Sequence, residues 1–268
     1  MVDFQYKDSY GVKDLEEIVR LLRAPGGCPW DAEQTHQSIR RNFLEETYEV
    51  IDALDRDSAP DMCEELGDVF MQVVFHAIME EERGRFTMAD VVDGVTKKMI
   101  FRHPHVFGGT MTADTSEQVL TNWEHLKREE KGQASTADAI EAVPHTLPAL
   151  WRAEKVQKKA AKAGFDWPDA LAALDKLEEE IRELRAALER GGSADEPHGV
   201  REELGDTLFM AAKVGQMCAV DPEDALHRAC DKFDRRFRYV EQHAAAPLDQ
   251  CSSETLLALW RQAKQEES

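Results

Sequence analysis

Glu45-Glu46-Thr47-Tyr48-Glu49, followed by Glu64-Glu65-Leu66-Gly67-Asp68, is the stretch whose reading decides the fold. On a helix, Glu46 and Glu49 are three residues apart and share a face, as do Glu65 and Asp68 on the next helix. The connection through Asp57 to Pro60 is short, so the two helices are expected to pack antiparallel and turn four carboxylates toward one point. Two unit charges 4 Å apart repel by roughly 4 kcal/mol at an effective dielectric of 20, so such a cluster calls for a cation. Flexible all-oxygen ligation suits Mg²⁺, with Mn²⁺ as a substitute, better than zinc.

The pattern occurs twice. Glu179-Glu180-Ile181-Arg182-Glu183 is followed by Glu202-Glu203-Leu204-Gly205-Asp206. Glu46 to Glu180 and Glu49 to Glu183 are offsets of 134, half the chain length; Glu65 to Glu203 and Asp68 to Asp206 are offsets of 138, because the second loop is longer. Lys98 and Arg102 recur as Lys232 and Arg236, again 134 apart, and Trp123 has a candidate counterpart in Trp260. An offset of half the chain is a duplication. Glutamate runs on helices are commonly solvated faces. Here both copies border apolar stripes, and a basic i, i+4 pair follows each. Glycine also stands at the same place in each (Gly67, Gly205), where it costs ~1 kcal/mol within a helix and points to close helix packing. The basic pairs suit phosphate oxygens lying on the metal, their plainer reading being surface ion pairs. Lys176 shares a face with the second acidic motif where the first copy has Asn42, so the second copy is the better equipped for a triphosphate.

Composition sets the surroundings of this pattern. The 268 residues carry a net charge of −20, which repels polyanions and excludes non-specific binding to a nucleic-acid polymer. It equally argues against a polybasic membrane anchor. Hydrophobic content of 42% is enough for a core, while 7% aromatics and only 15 glycines favour long helices over a β-sandwich. Five cysteines, odd in number and without CxxC spacing, exclude a disulfide framework or zinc-thiolate site. The N-terminal stretch lacks a secretory pattern and no apolar run reaches the ~20 residues of a membrane span, so a soluble cytoplasmic protein is expected.

Periodicity is helical almost throughout. Helices are expected at about Lys13–Arg23, Ser38–Arg56, Asp61–Arg83, Met88–Phe101, Ser116–Lys131, Ala149–Ala163, Asp169–Arg190, Gly199–Val220, Pro222–His243 and Ser253–Gln265. In the third of these, Met62, Leu66, Val69, Phe70, Val73, Val74 and Ala77 form one stripe expected to be buried. Residues 26–31 and 106–112 read as loops and 132–148 as a linker. The expected organisation is therefore an N-terminal helical domain over 1–131, the linker, and a C-terminal helical domain over 149–268.

The two acidic motifs and their flanks resemble the MazG family of nucleoside triphosphate pyrophosphohydrolases, within the all-α pyrophosphohydrolase group. In the first half the likeness rests on Gly27-Cys28-Pro29-Trp30-Asp31, Gln34-Thr35-His36, the acidic motifs and Arg102-His103-Pro104-His105-Val106-Phe107-Gly108. In the second it rests on Ala163-Gly164-Phe165-Asp166-Trp167, the acidic motifs and Asp231-Lys232-Phe233-Asp234-Arg235-Arg236-Phe237. The resemblance implies tandem helical-bundle units assembled as a homodimer. It also implies Mg²⁺-dependent cleavage of nucleoside triphosphates between the α and β phosphates, giving a monophosphate and pyrophosphate. It maps metal ligation onto Glu180, Glu183, Glu203 and Asp206, with Glu46, Glu49, Glu65 and Asp68 as equivalents. Nucleotide contacts map onto Lys176, Lys232, Arg236 and Trp260, with Lys98 and Arg102 as the first-copy basic pair. Glu179 or Glu45 is the candidate for orienting or deprotonating the attacking water. Neither motif is broken, so the sequence does not say which copy works.

Other readings share parts of this pattern. A narrower dNTP diphosphatase, such as a dUTP-preferring one, has the same metal site. A nucleotide-binding regulator binds without releasing pyrophosphate. A di-iron bundle wants Glu-x-x-His on the bundle helices; the one instance, Glu33 to His36, is absent from the second copy. There is no P-loop motif.

Overall fold

The computed structural model describes residues 2, 4–108, 113–130, 132, 135–191 and 193–266, the side chain of Arg128 excepted. The 109–112 part of the expected loop, Lys131 at the end of an expected helix, and Gln133, Ala134 and Gly192 lie outside these residues. The described residues are all-α, with one 3₁₀ turn at Leu248–Gln250, and the chain separates into two compact units, Met1–Lys127 and Arg128–Ser268.

The first unit contains α1 (Val12–Arg23), α2 (Pro29–Glu33), α3 (Arg40–Asp55), α4 (Ala59–Glu82), α5 (Met88–Arg102), α6 (Pro104–Phe107) and most of α7 (Ser116–Glu130). The α3–α4 hairpin is its centre. It turns on a Schellman closure: the Asp57 N–H donates to the Leu54 carbonyl and the Ser58 N–H to that of Ala53, both at 3.0 Å. Asp57 takes the left-handed backbone (φ 51°) usually given to glycine, which a short polar side chain tolerates. Ala59 and Pro60 then open α4, Pro needing no N–H in the first turn. The core is built from Val19, Ile39, Val74, Phe75, Ala77, Ile78, Met79 and Met88. It therefore sits on the C-terminal half of α4.

The expected stripe of α4 is buried only in that half. Val74 and Ala77 are fully enclosed, whereas Leu66, in the half that carries the carboxylates, is 50% exposed. Leu44 and Tyr48 on the facing helix are exposed as well.

The second unit contains α8 (Thr136–Glu141), α9 (Ala149–Lys162), α10 (Ala170–Arg190), α11 (Val200–Met217), α12 (Pro222–His243) and α13 (Ser253–Glu266). The α10–α11 hairpin repeats the α3–α4 hairpin, and Asp221 caps α12 by accepting from the backbone N–H groups of Glu223 and Asp224. Three short helices fall where the sequence pattern read loop or linker. They are α2, started by Pro29; α6, started by Pro104; and α8, started by a capping box between Ser135 and Asp138. Each spans fewer than two turns, too few residues for a helical period to show.

One packing expectation is corrected. Among the described residues, a Cβ added at Gly67 or Gly205 would meet no atom within 4 Å, so neither glycine marks close helix packing there.

Candidate metal and nucleotide site

The i, i+3 spacing places Glu46 and Glu49 on the face of α3 that meets Glu65 of α4, and one carboxylate oxygen from each lies within 4.8 Å of the others. Asp68 is not part of this tight group but exerts the largest charge influence on Glu46. Partial burial raises the Glu46 carboxyl above its ordinary value, and Asp68, Glu49 and Glu65 raise it further. Glu65 is raised in the same way, by desolvation and then by Glu49, Glu64 and Asp68.

In the second unit the tight group is Glu180, Glu203 and Asp206, again within 4.8 Å of one another. Glu180 and Glu203 are buried. Glu183 lies just outside the group, raised by desolvation and by Glu180. Asp206 is raised by burial, then by Glu180 and Glu202. The copies differ in one resident cation. Lys176 pairs with Glu179 at 2.7 Å and Glu180 at 2.8 Å, and these partners hold its ammonium well above the ordinary lysine value. The first copy's Asn42 offers no such charge. Both sites are hard, all-oxygen and crowded with negative charge, a donor set that fits Mg²⁺ or Mn²⁺.

Glu45 and Glu179 stand beside the clusters and outside the tight groups. Glu45 is paired with Arg41 at 2.8 Å, and Glu179 is lowered by its hydrogen bond from Lys176. Lys98 on α5 and Lys232 on α12 are exposed. Arg102 is buried, with its guanidinium over the Trp123 ring at 5.1 Å; Arg236 lies over the Trp260 ring at 6.0 Å. Arg102/Arg236 and Trp123/Trp260 had separate matches in the sequence. The structure joins them into one repeated arginine–tryptophan contact, which the chain separation between partners hides. Trp260 also borders a cavity of about 400 Å³ lined by Phe233, Phe237 and Leu257, an aromatic recess on the helix that carries Lys232 and Arg236.

Two tertiary clusters escaped sequence reading. In the first unit His36, His76 and Glu80 are hydrogen-bonded in a chain. In the second, Lys213, 1% exposed, pairs with Asp166 at 2.5 Å. Their partners are forty or more residues apart, and no local spacing signals them.

Comparison with known proteins gives the same duplication. The model of the MazG nucleotide pyrophosphohydrolase domain matches residues 34–107 and 169–240, so each match contains one acidic hairpin. Over 257 residues the chain is 41% identical to the nucleoside triphosphate pyrophosphohydrolase of Escherichia coli (strain K12), covering 94% of this chain and 97% of that one. It is 40% identical over 255 residues to the Thermotoga maritima nucleoside triphosphate pyrophosphohydrolase/pyrophosphatase MazG, covering 94% and 95%. Uncharacterized protein YabN of Bacillus subtilis (strain 168) is 44% identical over 256 residues, 94% of this chain and 51% of that longer protein. Matched in both halves and aligned over nearly its whole length, the chain belongs to the MazG nucleotide pyrophosphohydrolase family and is a hydrolase of that family.

Proposed function

We propose that this hydrolase is a Mg²⁺-dependent nucleoside triphosphate pyrophosphohydrolase that converts an NTP or dNTP and water into the monophosphate and pyrophosphate. The observation that carries the reading is the pair of three-carboxylate groups on α3–α4 and α10–α11, the second with Lys176 paired to Glu180. Glu180, Glu183, Glu203 and Asp206, and in the first copy Glu46, Glu49, Glu65 and Asp68, are the residues to hold the metal. When bound, Mg²⁺ supplies charge neutralisation for the phosphates. Lys176, Lys232 and Arg236 bind phosphate oxygens, and Trp260 with its aromatic recess offers a stacking face for a base. Lys98 and Arg102 are the corresponding first-copy contacts. Glu179 and Glu45, both ion-paired, act by accepting a hydrogen bond from the attacking water and so aiming it.

The domains of this enzyme are 1–131 and 149–268, joined through 132–148, and it works as a cytoplasmic homodimer. Exposed apolar residues beside both sites, Leu66 and Leu204 among them, support burial against a second copy. Among the described residues no helix is long and apolar enough to cross a membrane.

The test is pyrophosphate release from a panel of NTPs and dNTPs, with Glu180→Gln/Glu183→Gln and Glu46→Gln/Glu49→Gln compared. If the second copy dominates, the first pair of changes lowers turnover by about 10²-fold or more and the second pair far less. Nucleotide binding without pyrophosphate release in the unaltered protein overturns the reading.

A further inference from the structure

The first unit holds a proton-sharing cluster that the carboxylate site does not use. The His36 and His76 rings are within 7° of parallel, and their Nδ1 atoms are 2.7 Å apart. Parallel rings at that separation cannot be face to face. A ring radius on either side of the 2.7 Å gap accounts for the 5.0 Å between centroids, so the rings lie edge to edge in nearly one plane with Nδ1 facing Nδ1. Such a contact requires one proton between the two nitrogens, neither zero nor two. At its far side His36 donates from Nε2 to Glu80 at 2.5 Å.

Glu80 is buried and also accepts from Arg85 at 2.5 Å and Arg83 at 3.1 Å. Phe43 of α3 sets its ring edge-on to His76. From α1, Arg20 pairs with Glu81 and Arg23 with Glu82, and Arg23 also donates to the Gln34 carbonyl. Glu80 already has two arginines, so the cluster has no surplus negative charge to attract a metal ion. A metal between the rings would also have to push the nitrogens apart, since two metal–nitrogen bonds of about 2 Å at a tetrahedral angle exceed the gap observed.

We infer that His36 and His76 are positioning residues: a one-proton latch that fixes the segment leading into α3 against α4, and so sets the first pair of carboxylate helices, in the first unit only. His36 precedes α3, which carries Glu46 and Glu49, whereas His76 and Glu80 lie on α4, which carries Glu65 and Asp68. The positions equivalent to His36, His76 and Glu80 at the two repeat offsets are Ala170, Val214 and Cys218, so the latch is absent from the second copy. That copy fastens its helices with Lys213–Asp166, and with Gln157 donating to the Phe209 carbonyl at 2.7 Å. One proton added to the neutral pair keeps the latch closed, because His36 then donates to both Glu80 and His76. A second proton leaves two N–H groups facing each other and opens it. Burial, and then the neighbouring His36, lower the His76 value, so the second proton arrives only below the ordinary imidazole range. Stability from the latch is therefore present above that range and lost as pH falls.

Hydrogen–deuterium exchange on the intact chain, corrected for intrinsic rates, tests this. Between pH 7 and about 5, protection of residues 39–55 is expected to fall about tenfold while that of 170–190 holds. His76→Gln, which keeps a hydrogen bond but cannot titrate, should abolish the step. Constant protection of 39–55, or an unchanged step in His76→Gln, overturns the latch. Imidazole ¹⁵N spectra of the unaltered protein need no variant: His76 is expected to take its proton only below the ordinary imidazole range, and titration of His76 as an ordinary histidine overturns the latch.

Discussion

Glu46 and Glu65 each ionise against neighbours of like charge, and this has a consequence for pH. Their folded-state values are raised, so the folded protein holds these protons more tightly than the unfolded chain does. Ionising them opposes folding above the raised values, and the opposition disappears as pH falls below the ordinary carboxylate range. Glu65→Gln is therefore expected to melt higher than the unaltered protein at pH 7 without divalent cation, with the difference closing toward pH 4. Mg²⁺ at a hundred times its dissociation constant should stabilise the unaltered protein by about 2.7 kcal/mol and the variant by less. Thermal unfolding across a pH series, with and without Mg²⁺, measures both. A variant that melts lower at pH 7 would show that Glu65 stabilises the fold.

At the scale of elements, the two hairpins share a shape but are fastened differently, and the second fastener is open to a simple test. Lys213 of α11 is enclosed, with Asp166 from the loop before α10, Gln216 at 2.9 Å and the Trp167 ring at 5.8 Å as its polar and aromatic company. Asp166→Asn leaves that ammonium without its counter-charge and is expected to cost about 3 kcal/mol in urea unfolding. Lys213→Met/Asp166→Asn should recover most of the loss, because the charge is then gone; no recovery would mean Asp166 acts by shaping its loop. The long hairpin helices were legible in the sequence because apolar spacing and acidic motifs coincide on them. Lys176 was legible too, since i+3 and i+4 neighbours on a helix meet without tertiary help. The short helices were not, being shorter than the period that reveals a helix. His36–His76 and Lys213–Asp166 were not either, because only the folded chain brings them together. Gly67 and Gly205 were found but misread: their shared position is real, but among the described residues nothing packs against either.

For the whole molecule, duplication means that a chain of net charge −20 presents its carboxylate cluster twice, once on each acidic hairpin. Each unit can then change its fastening, as the latch and the Lys213 pair show, while the carboxylate spacing stays the same. The open space at Gly67 and Gly205 has a further use as a reporter. In the chain alone a methyl group fits there, and alanine favours the helix over glycine by about 1 kcal/mol. Gly205→Ala should therefore raise the unfolding temperature of a dilute, ligand-free sample, measured by calorimetry. If turnover or self-association falls in the same variant, the fold is exonerated, and the lost contact belongs to whatever the bare backbone of α11 meets outside its own chain. Stability and function moving in opposite directions at one methyl group would locate that encounter to within a single helical turn.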